Sequence, residues 1–123
     1  MDLKDYFEAA TGTGILSTSD SSGHVDAAIY SRPHFLEEGL AFIMRDRLSH
    51  RNLTSNPHAV YLFIEDGQGY TGKRIYLTKV GEEKNSDRIG ALKRRKKDAN
   101  PEEDKFLVFF KVDRERPLVG DKD

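Results

Sequence analysis

The chain has 123 residues, of which 37% are hydrophobic and 33% are charged, a composition typical of one compact domain with a modest core. Its 20 Lys and Arg residues nearly balance 21 Asp and Glu residues, which argues against the broad positive field of a nucleic-acid-binding or polybasic membrane protein. Cysteine is absent, which excludes disulfides, thiolate metal ligands and thiol nucleophiles.

The N-terminal segment is charged and lacks the apolar core of a signal peptide. No apolar run approaches the length of a transmembrane helix. We therefore expect a soluble cytoplasmic protein that has no membrane partner.

The first third of the chain predicts a helix followed by a hairpin. Residues 2–10 have an acidic N-cap and apolar side chains on one face, which predicts a short helix. Two apolar segments, 15–19 and 25–31, flank the turn-rich residues 20–23. This arrangement is typical of two antiparallel strands joined by a tight turn.

The rest of the chain alternates further strands with two more helices. Strands are predicted at 40–45, 58–65, 73–80 and 105–113, and helices at 49–56 and 86–97. With no nucleotide-binding glycine fingerprint, the pattern favours a mainly β, six-stranded antiparallel barrel with peripheral helices over a parallel Rossmann sheet. We expect one domain over residues 1–113, followed by a charged flexible tail at 114–123.

Basic and hydroxyl side chains cluster where the strand 40–45 meets the next helix. The cluster consists of Arg45, Arg47, Ser49, His50 and Arg51. A helix N-terminus already favours an anion through its unpaired N–H groups and its dipole, and these side chains add further donors. The segment therefore predicts a phosphate site, although a run of charges also occurs on solvated surfaces.

Other candidate sites receive less support from the sequence. The four histidines lack a paired metal-ligand spacing, so we expect no metal. The basic segment 93–97 suggests nucleic-acid binding. However, the acidic residues that follow it would cancel most of its electrostatic field within about 8 Å at physiological salt. We therefore expect a solvated helix and no nucleic-acid partner.

Two short segments carry a resemblance to a known family. The sequences SHRNL at 49–53 and NPHAV at 56–60 resemble the Ser-x-Lys-x-x-Asn-Leu and Asn-Pro-x-Val segments of the pyridoxamine 5'-phosphate oxidase-like FMN-binding split barrels. The order of predicted elements agrees from about residue 6 to residue 112. The resemblance implies a six-stranded split barrel that forms a homodimer and holds two FMN molecules at the interface.

The same resemblance implies which residues bind the cofactor. Ser49 and Arg51 match positions that bind the FMN phosphate, and His50 matches their variable neighbour. The other matches lie along the phosphate, the ribityl chain or the isoalloxazine ring: Ile29, Tyr30, Ser31, Met44, Arg45, Lys73 and Arg74.

Departures from the family pattern narrow the expected activity. The oxidases' Arg-x-Val-Leu-Leu-Lys strand is replaced by AAIYSRP at 27–33, and the Trp and Arg-x-x-Pro elements that hold pyridoxal are missing. We therefore expect no vitamin B6 oxidase activity. Two classes remain: an FMN-dependent oxidoreductase or electron-transfer module with a small-molecule or protein redox partner, and a flavin-less ligand- or partner-binding barrel, with heme or deazaflavin as possible ligands.

Overall fold

A computed structural model describes residues 2–93 and 100–120. In this part of the chain three short helices accompany seven strands. The elements are α1 (Leu3–Ala9), β1 (Gly12–Ser19), β2 (Val25–Ile29), β3 (His34–Leu36), β4 (Gly39–Arg45), α2 (Leu48–Ser55), β5 (His58–Glu65), β6 (Gly72–Lys84), α3 (Asp87–Leu92) and β7 (Lys105–Pro117). None of these helices is long and apolar enough to cross a membrane.

All neighbouring strands pair antiparallel in one sheet with the order β2-β1-β5-β6-β7-β4-β3. The long strands β6 and β7 are bulged at two points in their pairing, where a strand can bend and twist more strongly. The sheet wraps a single main core, and the fold is a split β-barrel. The expectation of a mainly β, antiparallel split barrel is confirmed.

Strict alternation of side chains explains why the predicted strands form. Along β1 and β5 every second residue is buried, as expected for strands that present one face to the core. Phe7 of α1 covers one end of this core and packs edge-on against Phe63, with ring centroids 5.1 Å apart. The largest fully buried side chains are Tyr61, Phe63, Phe110, Leu16, Met44, Ile75, Leu77, Leu107 and Val108.

Strand β6 runs to Lys84, four residues beyond its predicted end, and other differences concern short or charged segments. The sequence pattern missed β3, which has three residues and pairs with β4 at the edge of the sheet. Strand β7 continues to Pro117, so the prediction of a flexible tail from residue 114 is wrong for residues 114–117. The predicted helix 86–97 is observed as α3 at Asp87–Leu92, and residues 94–97 of the basic segment lie outside the described residues.

Candidate functional site

A surface cleft of about 440 Å³ lies between the edge strand β2, the end of β4 and the start of α2. Its volume falls within the usual range for small-molecule sites, roughly 300–1,000 Å³. Six of the predicted cofactor-binding residues line it: Ile29, Tyr30, Ser31, Arg45, Arg47 and Ser49. The structure thus brings together two segments that are about fifteen residues apart in the sequence.

Ser49 and Tyr30 form the polar floor of this cleft. Ser49 is buried on the first turn of α2, and its hydroxyl shares a hydrogen bond with the Tyr30 side chain. Burial raises the pKa of Tyr30, although the bond to Ser49 opposes the shift. Tyr30 is held from the core side as well, because its ring packs against Phe42 at 5.7 Å and its carbonyl accepts a hydrogen bond from the Tyr61 hydroxyl at 3.0 Å.

The N-terminus of α2 adds backbone donors to the same wall. Arg47 occupies the N-cap position. Within the described residues, its side chain makes no capping hydrogen bond and the first turn of α2 holds no acidic side chain. The positive end of the helix is therefore not neutralised from within the helix, which suits an anion at this point.

Arg45 and Arg47 provide two cations at the mouth of the cleft, and Glu103 already contacts both. Arg47 donates through Nε and Nη2 to the two carboxylate oxygens of Glu103, at 3.1 and 3.0 Å. Arg45 donates through Nη1 to Glu103 at 3.2 Å. The hydrogen bond from Arg47 is the main reason why the pKa of Glu103 is lowered, and Arg45 adds to the effect. The geometry therefore shows that the arginine pair accommodates an oxyanion.

Two other predicted site residues, Met44 and His50, point into the protein rather than into the cleft. Met44 is 1% exposed because it occupies an inward position of β4. His50 stacks on the Phe106 ring at 3.7 Å between ring centroids. Its Nε2 lies 2.9 Å from Oε1 of Glu82, which also accepts a hydrogen bond from Lys79 at 2.7 Å. These contacts place the buried His50 ring in a polar cluster with the more exposed Glu82 and Lys79.

The remaining three predicted residues lie outside the lining of the cleft. Arg51 forms an ion pair with Asp46, with Nε 3.7 Å from the carboxylate. Lys73 contacts Glu115 at 3.0 Å on the neighbouring strand β7. Arg74 donates to two backbone carbonyls near the end of β7, at 2.8 and 2.7 Å. Their assignment to the cofactor remains a prediction.

Sequence reasoning missed Glu103 as the partner of the two arginines that line the cleft. This residue precedes β7 and lies 56 positions beyond Arg47, so no local pattern connects the two. The acidic residues around position 103 suggested only a neutralising partner for the basic segment before them. Among the described residues, no group of three or more potential ligands from His, Cys, Asp and Glu is arranged to hold a metal ion.

The fold is that of the FMN-binding split barrels related to pyridoxamine 5'-phosphate oxidase. An FMN-binding protein from Syntrophomonas wolfei is similar over 94% of this chain and 83% of its own, with 18% identity and a TM-score of 0.69. An F420 reductase matches over 94% of this chain and 98% of its own, with 14% identity and a TM-score of 0.69.

A third similar structure is a Listeria innocua protein provisionally assigned as a pyridoxamine 5'-phosphate oxidase. It matches over 95% of this chain and 98% of its own, with 16% identity and a TM-score of 0.58. No protein-family model matches the sequence, and the search of curated proteins finds no match. At these identities the similarity establishes a shared fold.

Proposed function

We propose that the protein binds FMN in the cleft between β2, β4 and α2, and serves as a flavin-dependent oxidoreductase or electron-transfer module. One observation carries the proposal: Arg45, Arg47 and Ser49 converge with the N-terminus of α2 on one wall of this cleft. Charge-assisted hydrogen bonds of this kind recognise phosphate groups strongly. FMN binding by the Syntrophomonas wolfei protein of the same fold supports the choice of ligand.

The residues present fit the two ends of this cofactor. The arginine pair holds a carboxylate here, and a phosphate offers the same type of acceptor to the same donors. Tyr30 and Ser31 line the same cleft and would contact the ribityl chain and the ring. FMN, when bound, supplies the redox chemistry, while the protein binds and orients it and sets the polarity around it.

A homodimer is the second part of the proposal. Val25 and Ile29 are 81% and 77% exposed on the edge strand β2, and Leu48, at the rim of the cleft, is 51% exposed. Large apolar side chains grouped at a cleft are typical of an interaction surface. A second copy of the chain seated on β2 would cover them and close the open side of the cleft.

The test is co-elution of FMN with the purified protein. We expect protein mixed with excess FMN to retain the flavin absorption bands through gel filtration and to have the mass of a dimer by light scattering. Ile29→Asp should give a monomer that loses FMN, whereas Val119→Asp, which changes an apolar residue that is 62% exposed and does not line the cleft, should do neither. A colourless protein that rejects FMN would refute the proposal.

Deazaflavin binding is the second candidate, and it is favoured by the similarity to an F420 reductase. Both cofactors carry phosphate, so both would use the arginine pair. Competition for the cleft between FMN and F420 distinguishes the two, because the preferred ligand displaces the other at equal concentration. A protein that binds neither belongs to the flavin-less class, with heme as the next ligand to test.

A further inference from the structure

Glu103 occupies the donors that a phosphate would need. Its two carboxylate oxygens accept from one whole edge of the Arg47 guanidinium group, and one of them also accepts from Arg45. The contact is partly open to water, since the side chains of Glu103 and Arg45 are 24% and 29% exposed and that of Arg47 is 63% exposed. Carboxylates and phosphates bind an arginine edge in the same two-pronged manner, so the two anions exclude each other there.

The segment that carries Glu103 is anchored separately from this contact. Asn85, at the turn after β6, donates to the Asp104 carboxylate at 3.0 Å and accepts from the backbone N–H of Lys105 at 2.9 Å. These bonds hold the chain immediately after Glu103. Removal of the carboxylate from the arginines therefore requires rotation of one side chain and leaves the start of β7 in place.

We propose that Glu103 is a displaceable internal anion that sets the affinity of the cleft for phosphate-bearing ligands. The inference rests on the proposed function, because it concerns the same arginine pair. An anion that offers no more than a carboxylate gains little by displacing Glu103. A phosphate has further donors in the same cleft, namely the Ser49 hydroxyl and the unpaired N–H groups at the start of α2.

The opposite role for Glu103 would be to orient the two arginines for their ligand. The two roles predict opposite effects of one substitution on the affinity for phosphate. If Glu103 competes with the ligand, its neutralisation tightens phosphate binding. If it orients the arginines, the same change weakens phosphate binding, because both guanidinium groups lose a fixed position.

The experiment is a titration of inorganic phosphate at constant ionic strength, followed by the backbone amide NMR signals of Leu48 and Ser49. Glu103→Gln keeps the side-chain size and removes the charge, and Glu102→Gln is the matched control at the exposed neighbouring position. We expect Glu103→Gln to bind phosphate roughly fivefold more tightly, because the variant has no ion pair with the arginines that must break before phosphate binds. The control should stay within about twofold of the wild type by the same reasoning.

Unchanged or weaker phosphate binding in Glu103→Gln overturns the inference, and so does the absence of phosphate binding in both proteins. Glu103→Ala should change the affinity in the same direction as Glu103→Gln. Failure of the proposed function gives a different pattern, in which phosphate binds and responds to Glu103 but FMN does not co-elute. If Glu103→Gln leaves the affinity for FMN unchanged, Glu103 does not compete with the ligand, and the proposal that FMN binds in the cleft still stands.

Discussion

Replacement of Arg47 by alanine tests the phosphate end of the proposed FMN site. Arg47 lines the cleft at the N-cap of α2, and its guanidinium edge binds both carboxylate oxygens of Glu103. We expect Arg47→Ala to weaken FMN binding while the fold is retained, because the side chain is 63% exposed and contributes little to the core.

The magnitude follows from two opposing contributions. A charge-assisted hydrogen bond to phosphate is worth about 1.5–3 kcal/mol. The wild type must first break the ion pair between Arg47 and Glu103, which reduces the net loss, and the variant does not. The net loss is therefore smaller than the full value of that bond, and we expect Kd to rise by more than about twofold and by less than about 150-fold.

The assay is a fluorescence titration of FMN with the wild type and three variants. Lys111→Ala is the matched charge control, since its side chain is 65% exposed and lies on β7 away from the cleft. Arg51→Ala tests the other assignment, because the family resemblance places the phosphate on Arg51 whereas the cleft geometry places it on Arg47. A change of less than twofold in Arg47→Ala, or a loss confined to Arg51→Ala, would refute the placement of the phosphate on Arg47.

Three further predictions concern the scaffold beneath the cleft, each measured by urea unfolding followed by circular dichroism. Tyr61→Phe should lower the unfolding free energy by about 0.5–1.5 kcal/mol, since it removes a hydrogen bond to a backbone carbonyl; no change would show that the bond is not formed. Gly14→Ala should cost about 1–3 kcal/mol, because its Cβ would overlap the Tyr61 hydroxyl, and an unaltered midpoint would contradict this packing. Burial opposes ionisation of Glu82, but hydrogen bonds from Lys79 and His50 outweigh it and hold its pKa below the ordinary 4.5. The stabilisation by Glu82 is therefore present above pH 4.5 and is lost as pH falls through the folded-state pKa, so the wild type and Glu82→Gln should converge in acid, and a constant difference would contradict this.

The sequence predicts the barrel well because several of its strands are short apolar runs bounded by turn residues. Residues 59–64 of β5 and 106–110 of β7 are apolar throughout, and the turn between 20 and 23 marks the first hairpin. Strand β3 has only three residues, too few for an alternating pattern to be recognised. The end of β7 was missed for a different reason: Arg114–Pro117 is charged, yet it pairs with β6, so its backbone is fixed by a long-range ladder.

The local sequence pattern predicts the part of the candidate site that is contiguous in the chain, and the family resemblance adds Ile29, Tyr30 and Ser31. Arg45, Arg47 and Ser49 meet at one strand-to-helix junction, and a local pattern of cations and hydroxyls is enough to find them. His50 is the next residue in the chain, but its ring points inward because it stacks on Phe106 and contacts Glu82. Both partners are more than thirty residues away in the sequence. Glu103 reaches the arginines through the pairing of β4 with β7, a relationship that exists only in the folded chain.

A comparison of FMN with riboflavin, which has the same ring and ribityl chain but no phosphate, tests the phosphate site directly. If the arginine pair and the start of α2 hold the phosphate, FMN should bind at least about tenfold more tightly than riboflavin at physiological salt, since one charge-assisted hydrogen bond supplies that factor. The advantage should shrink in Arg47→Ala. Equal affinities for FMN and riboflavin would contradict a phosphate site at Arg45, Arg47 and Ser49.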